Sequence, residues 1–121
     1  MSKEALLKIV GEDESLNIEW KPSLSQINEI IETISGFSNT EGGKIIIGVS
    51  KSGKLLGVEI GKDTIEHLTN KIAQNTDPKI RPRINVERMN NRNIIIIEVK
   101  ESADHLVLAF GRPFKRVGSP R

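Results

Sequence analysis

The sequence contains no cysteine and no tyrosine, and its aromatic side chains are one tryptophan and three phenylalanines. Without cysteine the chain can form no disulfide, no zinc–thiolate site and no thiol nucleophile. This absence fits a reducing compartment, and we expect a cytoplasmic protein. With so few aromatic side chains the core must be mainly aliphatic, and few rings remain to stack on unpaired nucleic-acid bases.

Other features are missing too. The two histidines, His67 and His105, stand alone, so neither a histidine metal site nor a Ser-His-Asp triad is indicated. No apolar run approaches the ~20 residues of a membrane span, and the N-terminus has no signal-peptide pattern, so no membrane partner is expected. The 121 residues suit one domain, 1–121.

Charge is distributed unevenly along the chain. Residues 1–78 hold eight Lys/Arg and twelve Asp/Glu, whereas residues 79–121 hold ten and four. A basic C-terminal half is typical of a protein with a polyanionic partner, although a solvated basic surface would give the same composition.

The periodicity of apolar residues predicts helices over 2–10, 24–40 and 63–75. Residues 16–21 alternate strictly, which predicts a strand with Trp20 in the core and with Glu19 and Lys21 accessible on the polar face. Ile45–Val49 and Ile94–Ile97 do not alternate, so both should be central strands buried on both faces.

The remaining segments are short. A turn at Ser52-Gly53 predicts a hairpin into 54–58, and further strands are expected at 83–89 and 93–100. Residues 106–110 and 114–117 should form short strands or one bent ribbon around Gly111-Arg112-Pro113. The predicted fold class is α+β, with a mixed, mostly antiparallel sheet and two main helices packed on it.

Three groups of residues could carry chemistry. In the first, Glu14 and Glu19 could hold Mg²⁺ or Mn²⁺ while Lys21 contacts a phosphate, the usual arrangement for metal-assisted phosphodiester cleavage. Glu14 can join Glu19 only if the chain bends between them, because residues five apart on a straight strand face opposite sides. The alternative is an exposed Glu19–Lys21 pair beside an acidic loop.

The second group is the Gly42-Gly43 turn. Its backbone N–H groups could cradle a phosphate, but the glycines follow a helix, and GxxxxGK[ST] is absent. A helix C-cap, which needs a positive φ, is the favoured interpretation.

The third group is basic, and we expect it to contact nucleic-acid phosphates independently of sequence. The group also includes Arg88 and Arg92. With Lys21, its candidate binding residues are Arg81, Arg83, Arg112, Lys115, Arg116 and Ser119.

Four pieces of the sequence, in this order, resemble the Schlafen-type Alba-like domain over about residues 12–119. They are Glu14 to Lys21, Asn39-Thr40-Glu41-Gly42-Gly43 with the strand that follows, Gly53 with Gly57, and Arg116-Val117-Gly118-Ser119. That domain occurs in Schlafen proteins and in prokaryotic proteins described as DNA-binding or transcriptional regulators.

The resemblance implies a role for each matched residue. Ribonucleolytic Schlafens that cut structured RNA such as tRNA carry an E-x-x-x-x-E-x-K pattern, which Glu14, Glu19 and Lys21 match. They complete the metal site with an aspartate where this chain has Ser50. They also pair two lobes around a basic groove, which here would require a homodimer.

Two functions are therefore expected from the sequence. One is a nucleic-acid-binding domain that is a metal-dependent endoribonuclease, with Glu14, Glu19 and Lys21 as catalytic residues. The other is a non-catalytic DNA-binding or regulatory module in which Glu19 and Lys21 are structural.

Overall fold

A computed structural model describes residues 17–116, and the predicted helix 2–10, Glu14 and Ser119 lie outside that range. The described elements are the strands β1 (Ile18–Lys21), β2 (Gly43–Ile47), β3 (Thr76–Asp77), β4 (Arg83–Met89), β5 (Arg92–Val99), β6 (Leu108–Ala109) and β7 (Arg112–Pro113), and the helices α1 (Ile27–Ser38) and α2 (Thr64–Gln74). A 3₁₀ turn, Leu24–Gln26, precedes α1. Between residues 17 and 116, no helix is long and apolar enough to cross a bilayer.

The main sheet has the strand order β1-β2-β5-β4. β1 and β2 run parallel, with α1 as the crossover between them, while β2–β5 and β5–β4 are antiparallel. A smaller antiparallel sheet joins β3, β6 and β7. The predicted α+β class, with a mixed and mostly antiparallel sheet, is confirmed.

The central strands are buried on both faces, as their unbroken apolar runs predict. Ile45, Ile47, Ile95 and Ile97 pack against the apolar stripes of α1 and α2. The alternate residues of the same strands form a second cluster with Trp20 on the opposite face. Aliphatic side chains fill nearly all of both clusters, because β-branched residues pack well on a pleated surface.

Two predicted strand regions take other conformations. Residues 54–58 form no hairpin strand and make one isolated bridge, Val49 to Leu55. Gly48 and Gly57 adopt positive φ (110° and 81°), which takes the backbone out of the extended region, and Gly48 O accepts hydrogen bonds from the N–H groups of Leu56 and Gly57.

The predicted strand at 114–117 is also not formed over residues 114–116. Its backbone groups bond to side chains instead: Phe114 N donates to Ser35 Oγ and Arg116 N donates to Thr40 Oγ1. The strand expected over 106–110 is reduced to Leu108–Ala109, the pair that meets β3.

The turn after α1 needs both glycines. The helix ends at Ser38 with Asn39 as its C-cap, so the predicted C-cap at the glycines is wrong. Gly42, with φ 74°, lies in the turn beyond the cap and donates its N–H to Phe37 O. Gly43 already belongs to β2, and a Cβ there would lie 2.7 Å from Asn17 O and 2.7 Å from the Phe37 ring. Both glycines therefore serve close packing between α1 and the sheet.

We predict that Gly43→Ala lowers the free energy of unfolding by about 1 to 3 kcal/mol, the usual cost of forcing atoms into a packed core. Chemical denaturation followed by Trp20 fluorescence would measure it. Gly61→Ala is the matched control, because its added Cβ meets only Thr64 Oγ1, at 3.5 Å. Equal effects of the two substitutions would contradict the packing argument.

Candidate functional site

Glu19 lies at the centre of a cluster of ion pairs on the helix-facing side of β1. Arg116 Nη1 donates to Oε1 of Glu19 at 2.9 Å. The other oxygen, Oε2, lies 3.3 Å from Lys21 Nζ and 3.6 Å from Lys51 Nζ. Both carboxylate oxygens are thus in contact with side-chain cations.

Lys21 is buried, with 4% of its surface exposed, and the Glu19 side chain is 13% exposed. The prediction that both would be accessible is therefore wrong. The alternation itself holds, since Trp20 points to the opposite face. However, α1 covers the polar face of β1 and supplies Glu29, whose Oε1 accepts from Lys21 Nζ at 3.0 Å.

The electrostatic environment of Glu19 favours its charged form. Burial raises the pKa of this carboxyl, but Lys21, Lys51 and Arg116 together outweigh burial, so its pKa is lowered. The local charge is therefore already balanced by cations of the chain itself.

The described residues do not form a metal site around Glu19. No group of three His, Cys, Asp or Glu side chains in residues 17–116 is placed to hold a metal ion. Ser50, at the position where the resemblance expects an aspartate, accepts a hydrogen bond from Lys54 N at 3.0 Å and so closes a turn. Pairing of Glu14 with Glu19 stays a prediction, because Glu14 lies outside the described residues.

Asn39 fixes the C-terminal segment that delivers Arg116. Its Nδ2 donates to the carbonyls of Val107 and Phe114, both at 2.8 Å, and its Oδ1 accepts from Val107 N at 2.8 Å. This is the asparagine of the N-x-x-G-G motif, so the motif ties the end of α1 to a stretch of chain about 70 residues away.

A separate basic groove of about 920 Å³ lies at the end of the sheet where β2 and β4 begin and β5 ends. It contains two of the predicted binding residues, Arg81 and Arg83. It is also lined by three residues that were not predicted from the sequence, Lys44, Lys79 and Lys100. Lys44 on β2 and Arg83 on β4 lie on either side of Glu98 on β5. This proximity depends on the strand register, which is why Lys44 was not predicted.

The cations of this groove differ from those around Glu19 in having no ion-pair partner among residues 17–116. In the described part of the chain, Lys44, Arg81, Arg83 and Lys100 have no ion-pair partner, and Lys79 Nζ contacts only Ala73 O, at 3.4 Å. Among the described residues, Glu98 and Glu101 are the acidic residues that line the groove.

The other predicted binding residues lie elsewhere. Lys21, Lys115 and Arg116 line a smaller depression of about 360 Å³ together with Glu29 and Glu32. Arg112 is exposed on β7, and Ser119 lies outside the described residues. The structure therefore brings Arg81 and Arg83 together and separates them from Lys21, Lys115 and Arg116.

We predict that Glu19→Gln lowers the free energy of unfolding at pH 7 by about 1.5 to 3 kcal/mol, the range for hydrogen bonds to charged groups. Because the folded-state pKa of Glu19 is lowered, its contribution is complete above the unfolded-state pKa and is lost as the pH falls through the folded-state pKa. The difference between wild type and variant should therefore shrink on acidification below pH about 4.3.

Denaturation curves recorded between neutral and acidic pH would measure this difference. Glu59→Gln is the control, because Glu59 is exposed and forms no ion pair within residues 17–116. A Glu19→Gln effect that stays constant across this pH range would contradict the assignment.

The chain is similar to two solved structures. One is the DIP2311 protein from Corynebacterium diphtheriae, with 19% identity and a TM-score of 0.72 over 93% of this chain, which spans 24% of that protein. The other is the N-terminal domain of a RecG-related protein from Nitrosomonas europaea, with 21% identity and a TM-score of 0.70 over 98% of this chain and 89% of that domain. At these identities the likeness shows the fold.

A search of curated proteins found no match. The family profile described as Schlafen, AlbA_2 matches residues 14–120, nearly the whole chain. This match confirms the resemblance seen in the ordered motifs and supports a nucleic-acid-binding domain. The chain belongs to the Schlafen AlbA_2 family.

Proposed function

We propose that the chain binds the sugar-phosphate backbone of nucleic acid in the basic groove lined by Lys44, Lys79, Arg81, Arg83 and Lys100. The observation that carries this proposal is the lack of ion-pair partners for these cations among residues 17–116. A cation without an ion-pair partner can contact a phosphate without breaking an existing ion pair. The contact then releases counterions condensed on the nucleic acid, which favours binding.

Family membership supports the same function, and so does the description of the Nitrosomonas europaea neighbour as related to RecG, an ATP-dependent DNA helicase. Charge distribution adds to this support. The groove draws four of its five cations from the basic C-terminal half of the sequence.

The composition of the groove favours recognition of backbone over bases. Its lining within residues 17–116 contains no aromatic side chain, so it offers no ring on which an unpaired base could stack. Contacts from Lys and Arg to phosphates fix position and carry no sequence information directly. We therefore expect affinities that differ little between unrelated sequences.

We predict that the double variant Arg81→Ala/Arg83→Ala weakens binding to unrelated DNA and RNA duplexes about equally. The slope of log K against log salt should fall by about 1 for each phosphate contact removed. Fluorescence anisotropy with labelled duplexes at several salt concentrations would measure both quantities.

Two variants test whether the groove itself is responsible. Arg112→Ala removes an exposed arginine outside the groove and should change affinity little. Glu101→Gln removes an acidic residue from the groove and should strengthen binding. Equal loss from Arg112→Ala and Arg81→Ala/Arg83→Ala, or binding that does not depend on salt, would contradict the proposal.

A second candidate is a metal-dependent endoribonuclease acting on structured RNA such as tRNA, with Mg²⁺ or Mn²⁺ as the metal. The spacing of Glu14, Glu19 and Lys21 favours it, because these residues match the catalytic pattern of ribonucleolytic Schlafens. The ion pairs of Glu19 and the hydroxyl at Ser50 count against it, since a hydroxyl supplies no ligand charge. Binding without cleavage is therefore our primary proposal.

If this candidate is correct, Ser50→Asp should raise cleavage of labelled tRNA in the presence of Mn²⁺, and Glu19→Gln should abolish cleavage. Gel analysis of the RNA with and without metal is the measurement. If neither wild type nor folded, RNA-binding Ser50→Asp cuts the RNA, the nuclease candidate is excluded.

We also propose that two copies associate, because ribonucleolytic Schlafens build their basic groove from two lobes and this chain supplies one. Sedimentation equilibrium with and without a duplex would determine the mass in solution. A monomer under both conditions would contradict the homodimer.

A further inference from the structure

We infer that Glu19 is the internal counter-ion that holds Arg116 in position against α1. Glu19 is therefore a positioning residue rather than a metal ligand. The inference departs from the role that the family resemblance implies for this glutamate. It is independent of the basic groove, since neither Glu19 nor Arg116 lines it.

The seat of Arg116 is built from several contacts. Its guanidinium donates to Glu19 at 2.9 Å and lies 4.7 Å from the centre of the Phe37 ring, within the range of a cation–π contact. Its backbone N–H donates to Thr40 Oγ1 at 3.0 Å. Backbone, guanidinium and ring contacts therefore hold the same residue against the end of α1.

Gly36 leaves room for the aliphatic stem of Arg116. A Cβ added at Gly36 would lie 3.4 Å from both Cγ and Cδ of Arg116, tighter than most contacts of this kind. The surface of α1 thus presents a small residue where the stem crosses and an aromatic ring where the guanidinium lies. This fit indicates a built seat, which an incidental surface ion pair would not require.

The charges around Glu19 disfavour a divalent cation at the same place. Arg116 contacts Oε1, and Lys21 and Lys51 lie within 3.6 Å of Oε2. A metal ion bound to either oxygen at its usual ~2.0 to 2.6 Å would stand among these positive groups and be repelled by them. To bind there, the metal ion would first have to displace Arg116 or the lysines from Glu19.

The contacts of Arg116 fix the end of the C-terminal segment, residues 112–116. Asn39 and Ser35 hold the backbone at Val107 and Phe114, and Glu19 holds the side chain two residues further on. Without Glu19, residues 112–116 would keep their backbone hydrogen bonds but lose the charged contact at their end. Local opening of this segment should then become easier while the sheet stays closed.

Hydrogen exchange measured by mass spectrometry tests this directly on the full chain. In Glu19→Gln we expect the peptide covering residues 112–116 to exchange roughly tenfold faster, which corresponds to about 1.4 kcal/mol of lost protection. Exchange in β5 should speed up by no more than the global loss measured by denaturation, and exchange of residues 112–116 while β5 is still protected identifies local opening. Glu29→Gln is the matched control, since Glu29 pairs with Lys21 and not with Arg116, and it should leave the segment protected.

Arg116→Met provides a second route to the same answer should Glu19→Gln fail to fold. It removes the charge from the other side of the contact and should speed exchange of the same peptide. If the segment stays protected in Arg116→Met and in any folded Glu19→Gln protein, the inference is overturned.

Mn²⁺ alone, added to the full chain, tests the other half of the inference. Free Mn²⁺ measured by electron paramagnetic resonance should show the same binding for wild type, Glu19→Gln and the control Glu29→Gln, and Mn²⁺ should leave the exchange of residues 112–116 unchanged. Opening of this segment by Mn²⁺, or Mn²⁺ binding to wild type that Glu19→Gln abolishes, would identify Glu19 as a metal ligand and overturn the inference.

Discussion

The side chain of Asn39 holds together parts of the chain that are far apart in sequence. One amide group at the end of α1 donates to Val107 and Phe114 and accepts from Val107. The Asn39 side chain thus provides hydrogen bonds that these backbone groups would otherwise need from a neighbouring strand. Residues 114–116 can therefore lie beside the helix without joining a sheet. Arg116 reaches Glu19 only because this path is fixed.

The distribution of paired and unpaired cations follows from that path. Where the C-terminal segment crosses β1, acidic groups of β1 and α1 meet Lys21 and Arg116 and neutralise them. In the groove, where β2 and β4 begin and β5 ends, Lys44, Arg81, Arg83 and Lys100 have no ion-pair partner among residues 17–116. The fold thus decides which basic side chains are paired with acidic groups and which can contact a polyanion. Composition alone does not reveal this difference.

Local patterns in the sequence predicted the elements whose cause is local. The stripe of α1, the two-sided burial of Ile45–Ile47 and Ile94–Ile97, and the opposite facing of Trp20 and Glu19 all follow from periodicity. The burial of Lys21 did not, because the helix that covers it is placed by tertiary packing. Lys44 was missed for a related reason: its neighbourhood with Arg83 depends on strand register, which no single strand encodes.

The motifs that carry the family resemblance meet in space, and their contacts within residues 17–116 are structural. Glu19 and Lys21 of the first motif contact Arg116 and Glu29, and Asn39 and Gly42 of the second secure the turn and the segment leading to Arg116. A sequence can therefore keep these motifs for the sake of its fold alone. Membership of the family identifies the domain, whereas cleavage requires a charge arrangement that must be argued from each chain's own residues.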